Sequence, residues 1–331
     1  MARTAPANCD AQSSAVRHLS IAIVVLKVPA ATRDLPSANA GLTAPVITAP
    51  ANASTTTNNR PAITGTAPAN STVTVRIDGA LACTATATAQ GAFTCMPSMA
   101  LSDGPHVATA VASNSQGTSP VSTPVNFTVD ATPPLTPAVV GPADGSRTSD
   151  TTPTVTGTTN LPGSSIVTLV VTDANGVEQT ISATVQQGGT YSVDVPNPLA
   201  EGNYTVVATA TDAAGNSANA NDAGAIDITA PTVTVDAPAL TNDTTPTITG
   251  TTNLPAGATI SLVVTDANGV AQTISATVQA GGTFSVDVPT PLAQGNYTVV
   301  ATATDAAGNS ANANDAGAID VTAPTVTVDA P

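Results

Sequence analysis

The chain has 331 residues and carries 22 Asp and Glu against 7 Lys and Arg, a formal net charge of −15. An anionic surface of this kind repels phosphate backbones and anionic head groups, which argues against nucleic-acid and membrane-surface partners. Val, Ile, Ala and Thr dominate, Trp is absent, and 24 Gly and 27 Pro recur at intervals; this is the composition of many short strands separated by turns, not of a helical domain.

The head, residues 1–42, is the basic part, with Arg3, Arg17, Lys27 and Arg33 against Asp10 and Asp34. Its apolar run Leu19 to Leu26 stands behind Arg17, and Ala38-Asn39-Ala40 offers small residues for cleavage. An export signal, a mis-called start and a cut from a longer protein all fit this pattern. The run is too short to cross a bilayer as a helix, so no direct membrane insertion is expected. Downstream the balance reverses: no Lys or Arg follows Arg147, leaving the later carboxylates to dissolved cations.

Beyond the head the chain repeats. Asn203 to Gly224 (NYTVVATATDAAGNSANANDAG) recurs identically at Asn296 to Gly317, and TTPTVTG from Thr151 returns as TTPTITG from Thr244, both displaced by 93 positions. A more diverged copy lies upstream, where Pro61 to Gly65 matches the PTITG element and Gly104-Pro105-His106 leads into VATAVASNSQG. Period and punctuation place domains at 43–131, 132–229 and 230–322, with 323–331 as the truncated start of a fourth repeat.

Within the third domain seven strands are expected: Thr232 to Val235, Thr247 to Thr251, Thr259 to Thr265, Gln272 to Gln279, Thr283 to Val288, Tyr297 to Thr304 and Ile319 to Thr322. Asp266-Ala267-Asn268-Gly269 and Ala280-Gly281-Gly282 supply turns between them. Seven short alternating strands in about 93 residues predict an all-β chain of tandem immunoglobulin-like Greek-key β-sandwiches, strung as beads on a rod. Tyr204 and Tyr297 each open the sixth strand after a Gly-Asn corner. There the phenol either bonds back to the backbone as a tyrosine corner or is an ordinary half-buried side chain; His106 takes the matching place in the first domain.

The succession TAPTVTVDAP, TTPTITGTTNLPAGATISL and GNYTVVATATDAAGN resembles the bacterial Ig-like repeats of very large secreted adhesins and biofilm-associated surface proteins of Gram-negative bacteria, over residues 43–331. The resemblance implies a structural stalk at the cell surface or outside the cell. Its partners would be neighbouring repeats of the same chain, and a host or matrix ligand would be met through regions outside this sequence. It also implies Ca2+ at domain junctions as a stiffener. The Gly-Gly-x-Gly-x-Asp nonapeptides of a secretion-signal region are absent, since Gly188-Gly189-Thr190 and Gly281-Gly282-Thr283 lack the third Gly. The alternative is a non-catalytic accessory module, spacer or carbohydrate-binding, of a secreted enzyme.

Catalysis is not expected. The two histidines, His18 and His106, sit in no Ser-His-Asp arrangement, and no phosphate loop or zinc motif is present. Lysine-dependent isopeptide stapling is excluded from the sandwiches because Lys27 is the only lysine. Sugar binding is disfavoured because the six aromatics, Phe93, Phe127, Tyr191, Tyr204, Phe284 and Tyr297, fall mostly at core positions.

Two sets of residues remain. Cys83 and Cys95 align with Ile181/Ile274 and Val193/Val286 and flank the Ala89-Gln90-Gly91 turn symmetrically, which predicts a core-facing hairpin disulfide, with two buried thiols as the alternative. The acids divide by position. Asp173 and Asp266 are explained as turn caps, whereas Asp212, Asp227 and Asp243 are expected to meet at the second-to-third junction, with Asp305 and Asp320 as their equivalents at the next. Such oxygen donors suit Ca2+. On this reading the first junction, with Ser113-Asn114-Ser115-Gln116-Gly117 as its turn, binds it weakly or not at all.

Overall fold

A computed structural model describes residues 41–328; the apolar run, Cys9 and Lys27 lie outside them. The first sandwich contains β1 (Val46–Ala49), β2 (Ser54–Thr56), β3 (Ile63–Thr66), β4 (Thr72–Ile77), β5 (Ala80–Thr86), β6 (Ala92–Cys95), β7 (Gly104–Asn114), β8 (Gly117–Thr118) and β9 (Val125–Val129). The second contains β10 (Ala138–Gly141), β11 (Arg147–Thr148), β12 (Thr154–Thr158), β13 (Ile166–Thr172), β14 (Glu178–Thr184), β15 (Thr190–Asp194), β16 (Gly202–Thr211) and β17 (Ser217–Ile226). The third contains β18 (Val233–Asp236), β19 (Thr247–Thr252), β20 (Thr259–Thr265), β21 (Ala271–Thr277), β22 (Thr283–Asp287), β23 (Gly295–Thr304) and β24 (Ser310–Ile319). No helix among the described residues is long and apolar enough to cross a membrane.

Each unit packs a three-stranded sheet against a larger one. In the third these are β18-β19-β22 and β21-β20-β23-β24, and the chain changes sheet after β19, β21 and β22, the Greek-key route. Strand alternation makes the cores. Tyr297, Val299, Ala301 and Ala303 on β23 point inward beside Ile260, Leu262 and Val264 on β20, and all are buried. The second sandwich repeats this with Tyr204, Val206, Ala208 and Ala210 over Val167, Leu169 and Val171. The three cores are separate clusters.

Three expectations need correction. The seventh strand of the third sandwich is Ser310–Ile319, not Ile319 to Thr322. The segment SANANDAGAI has the composition of a loop, but it zips against β23 over ten residue pairs, from Gly295↔Ile319 to Thr304↔Ser310. Tertiary pairing thus overrides weak strand propensity. Second, the phenols do not bond to their own corner. Tyr297 and Tyr204 are almost fully buried, and Tyr297 donates 2.8 Å across the sandwich to the carbonyl of Pro238, 59 residues upstream. Third, Cys83 and Cys95 form a disulfide, but they do not flank one ladder. β5 belongs to the larger sheet and β6 to the smaller, so the bond joins the two sheets.

In the first sandwich His106 replaces the tyrosine and is buried. Its Nε2 lies 2.8 Å from the Ser102 carbonyl and its Nδ1 2.7 Å from an Asp78 carboxylate oxygen. Both partners are acceptors, an arrangement that favours the doubly protonated imidazolium over the neutral ring. Desolvation pulls its pKa down, but the Ser102 carbonyl and Asp78 together outweigh it and hold the group above its ordinary value. The linkage sign follows: stability from this raised pKa is complete below about pH 6.5 and is lost as pH rises through the folded-state value. In an NMR titration the His106 ring resonances should show a midpoint above about 6.5; a midpoint below that contradicts the pairing.

Candidate functional site

The described residues offer a repeated structure where one sandwich meets the next. Its core is the Asp-Ala-Ala-Gly-Asn turn between the last two strands. At the second junction one Asp305 carboxylate oxygen accepts from the Ala307 N–H at 2.9 Å and the Asn309 N–H at 2.8 Å, and the other accepts from Asn309 Nδ2 at 3.0 Å. Gly308, with φ +92°, lets the backbone curl round the carboxylate. The loop pins the Asn309 amide, which donates 2.6 Å to the main-chain carbonyl of Asp227, the residue that follows β17. A second bond runs from the Ser149 N–H to the Ala307 carbonyl, 3.2 Å.

The first junction has the same device. Asp212 accepts from the N–H groups of Ala214, Gly215 and Asn216 at 2.8 to 2.9 Å and from Asn216 Nδ2 at 3.0 Å, and that amide donates 2.8 Å to the Asp130 carbonyl. Desolvation raises the carboxyl pKa of both Asp212 and Asp305. The asparagine side chains and the turn N–H groups outweigh it and leave both below the usual carboxylate range.

This geometry reverses the expected polarity. The last strand of a sandwich runs to the exit end, so the turn before it lies at the entry end and faces the preceding domain. Asp212 therefore serves the first junction with Asp130, and Asp305 serves the second with Asp227. Asp243 follows the first strand and lies at the exit end of the third sandwich beside Asp320, whose N–H donates 2.9 Å to the Thr241 carbonyl. Asp212, Asp227 and Asp243 are thus not brought together. The Ser113 to Gly117 turn belongs to the entry end of the first sandwich and plays no part in the first junction. Nor is Asp227 without a cation, since Arg147 Nη1 lies 3.7 Å from its carboxylate. Asp173 and Asp266 cap turns; Asp266 accepts from the Asn268 and Val270 N–H groups at 2.9 Å each. Sequence reasoning missed Asn216 and Asn309, although the identical DAAGN turns were the available signal.

The donor set at each junction is all oxygen: one Asp carboxylate and one main-chain carbonyl, both within 3.0 Å of a single amide nitrogen. Oxygen donors of this type suit a hard cation. Among the described residues, however, no three His, Cys, Asp or Glu side chains converge as a metal site, so backbone and amide oxygens would have to complete the shell. The bonds present already tie the domains together at about 1 kcal/mol each. Asn309→Ala should leave the melting temperature of the third sandwich almost unchanged but uncouple it from the second. Residual dipolar couplings should then need two alignment tensors where the native chain needs one; a single tensor for the variant contradicts a role in coupling.

Fold and junctions define a chain of serial sandwiches whose ends are built to meet. The model of the bacterial Ig-like domain matches residues 41–131, 141–229 and 225–322, and the chain belongs to that family. It is similar to a tetra-tandem repeat from the extending region of a large adhesion protein, at 29% identity over 84% of this chain and 75% of that one, TM-score 0.33. Similarity extends to a 1.5-MDa bacterial ice-binding adhesin, at 24% identity over 80% and 91%, TM-score 0.36. It also extends to a Ca2+-stabilized adhesin of an Antarctic bacterium, at 25% identity over 84% and 73%, TM-score 0.38. No curated protein matches the chain.

Proposed function

We propose that this chain is a stalk segment of a bacterial cell-surface or secreted adhesin, supporting adhesion and biofilm formation by holding a ligand-binding region away from the cell. The observation that carries this reading is the same Asp-clamped asparagine bonded across both junctions, because flexible beads would not need it. The host or matrix ligand is met elsewhere in the protein. Antibody raised against the chain should label unpermeabilised cells at a distance from the envelope in immunogold images; label confined to the interior would overturn the proposal.

Calcium belongs to this proposal as an addition to the amide bond. The Asp305 carboxylate and the Asp227 carbonyl would supply oxygens to it at the second junction, and the Asp212 carboxylate and the Asp130 carbonyl at the first. The charge it supplies would offset a third sandwich that carries seven Asp and no basic residue. Adding calcium at about 1 mM, the affinity range of extracellular modules, should raise the melting temperature of the native chain and not of Asp212→Ala/Asp305→Ala. Equal shifts in both would remove calcium from the junctions.

A further inference from the structure

The larger sheets end on β14 in the second sandwich and on β21 in the third, and among the described residues no strand pairs with the outer side of either. The two strands share one sequence, Gln-Thr-Ile-Ser-Ala-Thr, starting at Gln179 and at Gln272. Just beyond β21, the Val278 N–H donates 2.8 Å to the Ala258 carbonyl, and the Val278 carbonyl accepts from the Gly257 N–H at 2.8 Å, so Val278 turns its main chain toward the β20 side. Alternation then turns the main-chain groups of Ile274 and Ala276 toward β20 and those of Thr273 and Ser275 toward the open side. The open stretch is bounded at both ends. Gln279 Nε2 donates 3.1 Å to the Thr277 carbonyl, and Gln272 Nε2 donates 2.8 Å to the Thr290 carbonyl in the neighbouring loop. Thr180 and Ser182 stand the same way on β14, where Gln186 Nε2 donates 3.2 Å to the Thr184 carbonyl and Gln179 Nε2 donates 3.0 Å to the Asn197 carbonyl.

A row of free N–H and C=O groups is a template for another strand, and proteins block such edges with charge, proline or a bulge. Other edges of this chain are blocked in that way. In the third sandwich β18, β22 and β24 each carry an Asp, whereas β21 carries no charge. In the first sandwich the ladder between β4 and β5 is irregular at Val75 and Arg76, and the Ser98 N–H, 3.0 Å away, occupies the Ala82 carbonyl of β5. β14 and β21 pair with their inner neighbours without any such shift.

We propose that β14 and β21 are docking edges for a second copy of this chain, which joins them antiparallel to form one continuous sheet. The partner follows from the edge itself. A two-fold axis at Ile274 sets Thr273 of one copy opposite Ser275 of the other and the reverse, so that each free N–H meets a free C=O. β14 and β21 have the same Thr-Ile-Ser, so either edge accepts either one. The exposed face gains Thr–Ser pairs, a favourable cross-strand combination. The stretch from Gln272 to Gln279 is uncharged in a chain of net charge −15, so it is the part of the surface where a second copy is least repelled. Each contact is short and therefore weak, and two such edges in one chain add by avidity. The inference goes beyond the stalk reading and does not rest on it.

The test is sedimentation of the full chain over a range of concentrations, with amide hydrogen exchange read at Thr180, Ser182, Thr273 and Ser275. The average mass should rise with concentration to that of a dimer and beyond, and exchange at those residues should slow in step. Added salt should strengthen the association, because it screens the repulsion between two acidic chains. Ser182→Asp/Ser275→Asp sets like charges across the contact and should weaken association about tenfold, while Thr205→Asp/Thr298→Asp, with the same charges at exposed positions of the interior strands β16 and β23, should change it less than about twofold. Both variants should melt as the native chain does, which excludes misfolding as the cause. A mass independent of concentration, or equal weakening by both variants, would overturn the proposal. So would exchange that is already slow at every dilution, since a segment of the chain itself would then hold the edge. None of these results bears on whether the protein is displayed on a cell, which the immunogold experiment decides separately.

Discussion

Gly250→Ala should unfold the third sandwich at a temperature lower by 10 °C or more. Gly250 stands opposite Phe284 on the neighbouring strand, and the ring lies over the bare backbone, as aromatic side chains do where a sheet leaves a glycine uncovered. A Cβ added there would meet Phe284 Cζ at 2.2 Å and the Thr234 carbonyl oxygen at 2.2 Å. The first is a buried ring, 2% exposed, and the second is backbone in the β18–β19 ladder, so neither can yield cheaply. Overpacking of this kind costs about 1–3 kcal/mol or more, and each kcal/mol shifts the melting temperature of a domain this size by roughly 4–8 °C. Differential scanning calorimetry should show one transition displaced and the others in place. Gly157→Ala should do the same in the second sandwich, where the Tyr191 ring and the Ala138 carbonyl stand in the way.

The disulfide should matter about as much to the first sandwich. Closing a loop of 12 positions restricts the unfolded chain by about 3 kcal/mol in the entropic account. Cys95 is part of the core, 7% exposed, so its loss also removes packing. A Cys83→Ala/Cys95→Ala variant should lower the first transition by roughly 12 °C or more and leave the other two untouched, since neither of those sandwiches has a cysteine. An unchanged first transition would mean that the bond contributes nothing to stability.

The residues show which parts of this structure can be read without coordinates. Alternation along TISLVVT and YTVVATAT located the central strands because burial on one face imposes period two. The terminal strand SANANDAGAI was invisible to the same test: its small and polar residues carry little hydrophobic signal, and only pairing with β23 makes it a strand. The cysteines were identified through the repeat alignment, yet assigned to one ladder, because a turn between two strands looks the same whether the chain stays in its sheet or crosses to the other. The junction was the largest gap. DAAGN was visible twice at a fixed spacing, but its partner is a main-chain carbonyl, which no side-chain pattern marks. Its direction depends on which end of the sandwich the last turn occupies, a property of the topology.

The Asp-Asn clamps bond each sandwich to the next across both junctions. Small-angle scattering of the full chain, with and without Asn216→Ala/Asn309→Ala, tests this most directly. A ten-residue strand spans about 34 Å, so three sandwiches in line should give a maximum dimension above about 100 Å, with the variant showing a broader and shorter distance distribution. A single compact body of this length would have a radius of gyration near 20 Å. A native chain close to that value, or a variant indistinguishable from it, would contradict the account.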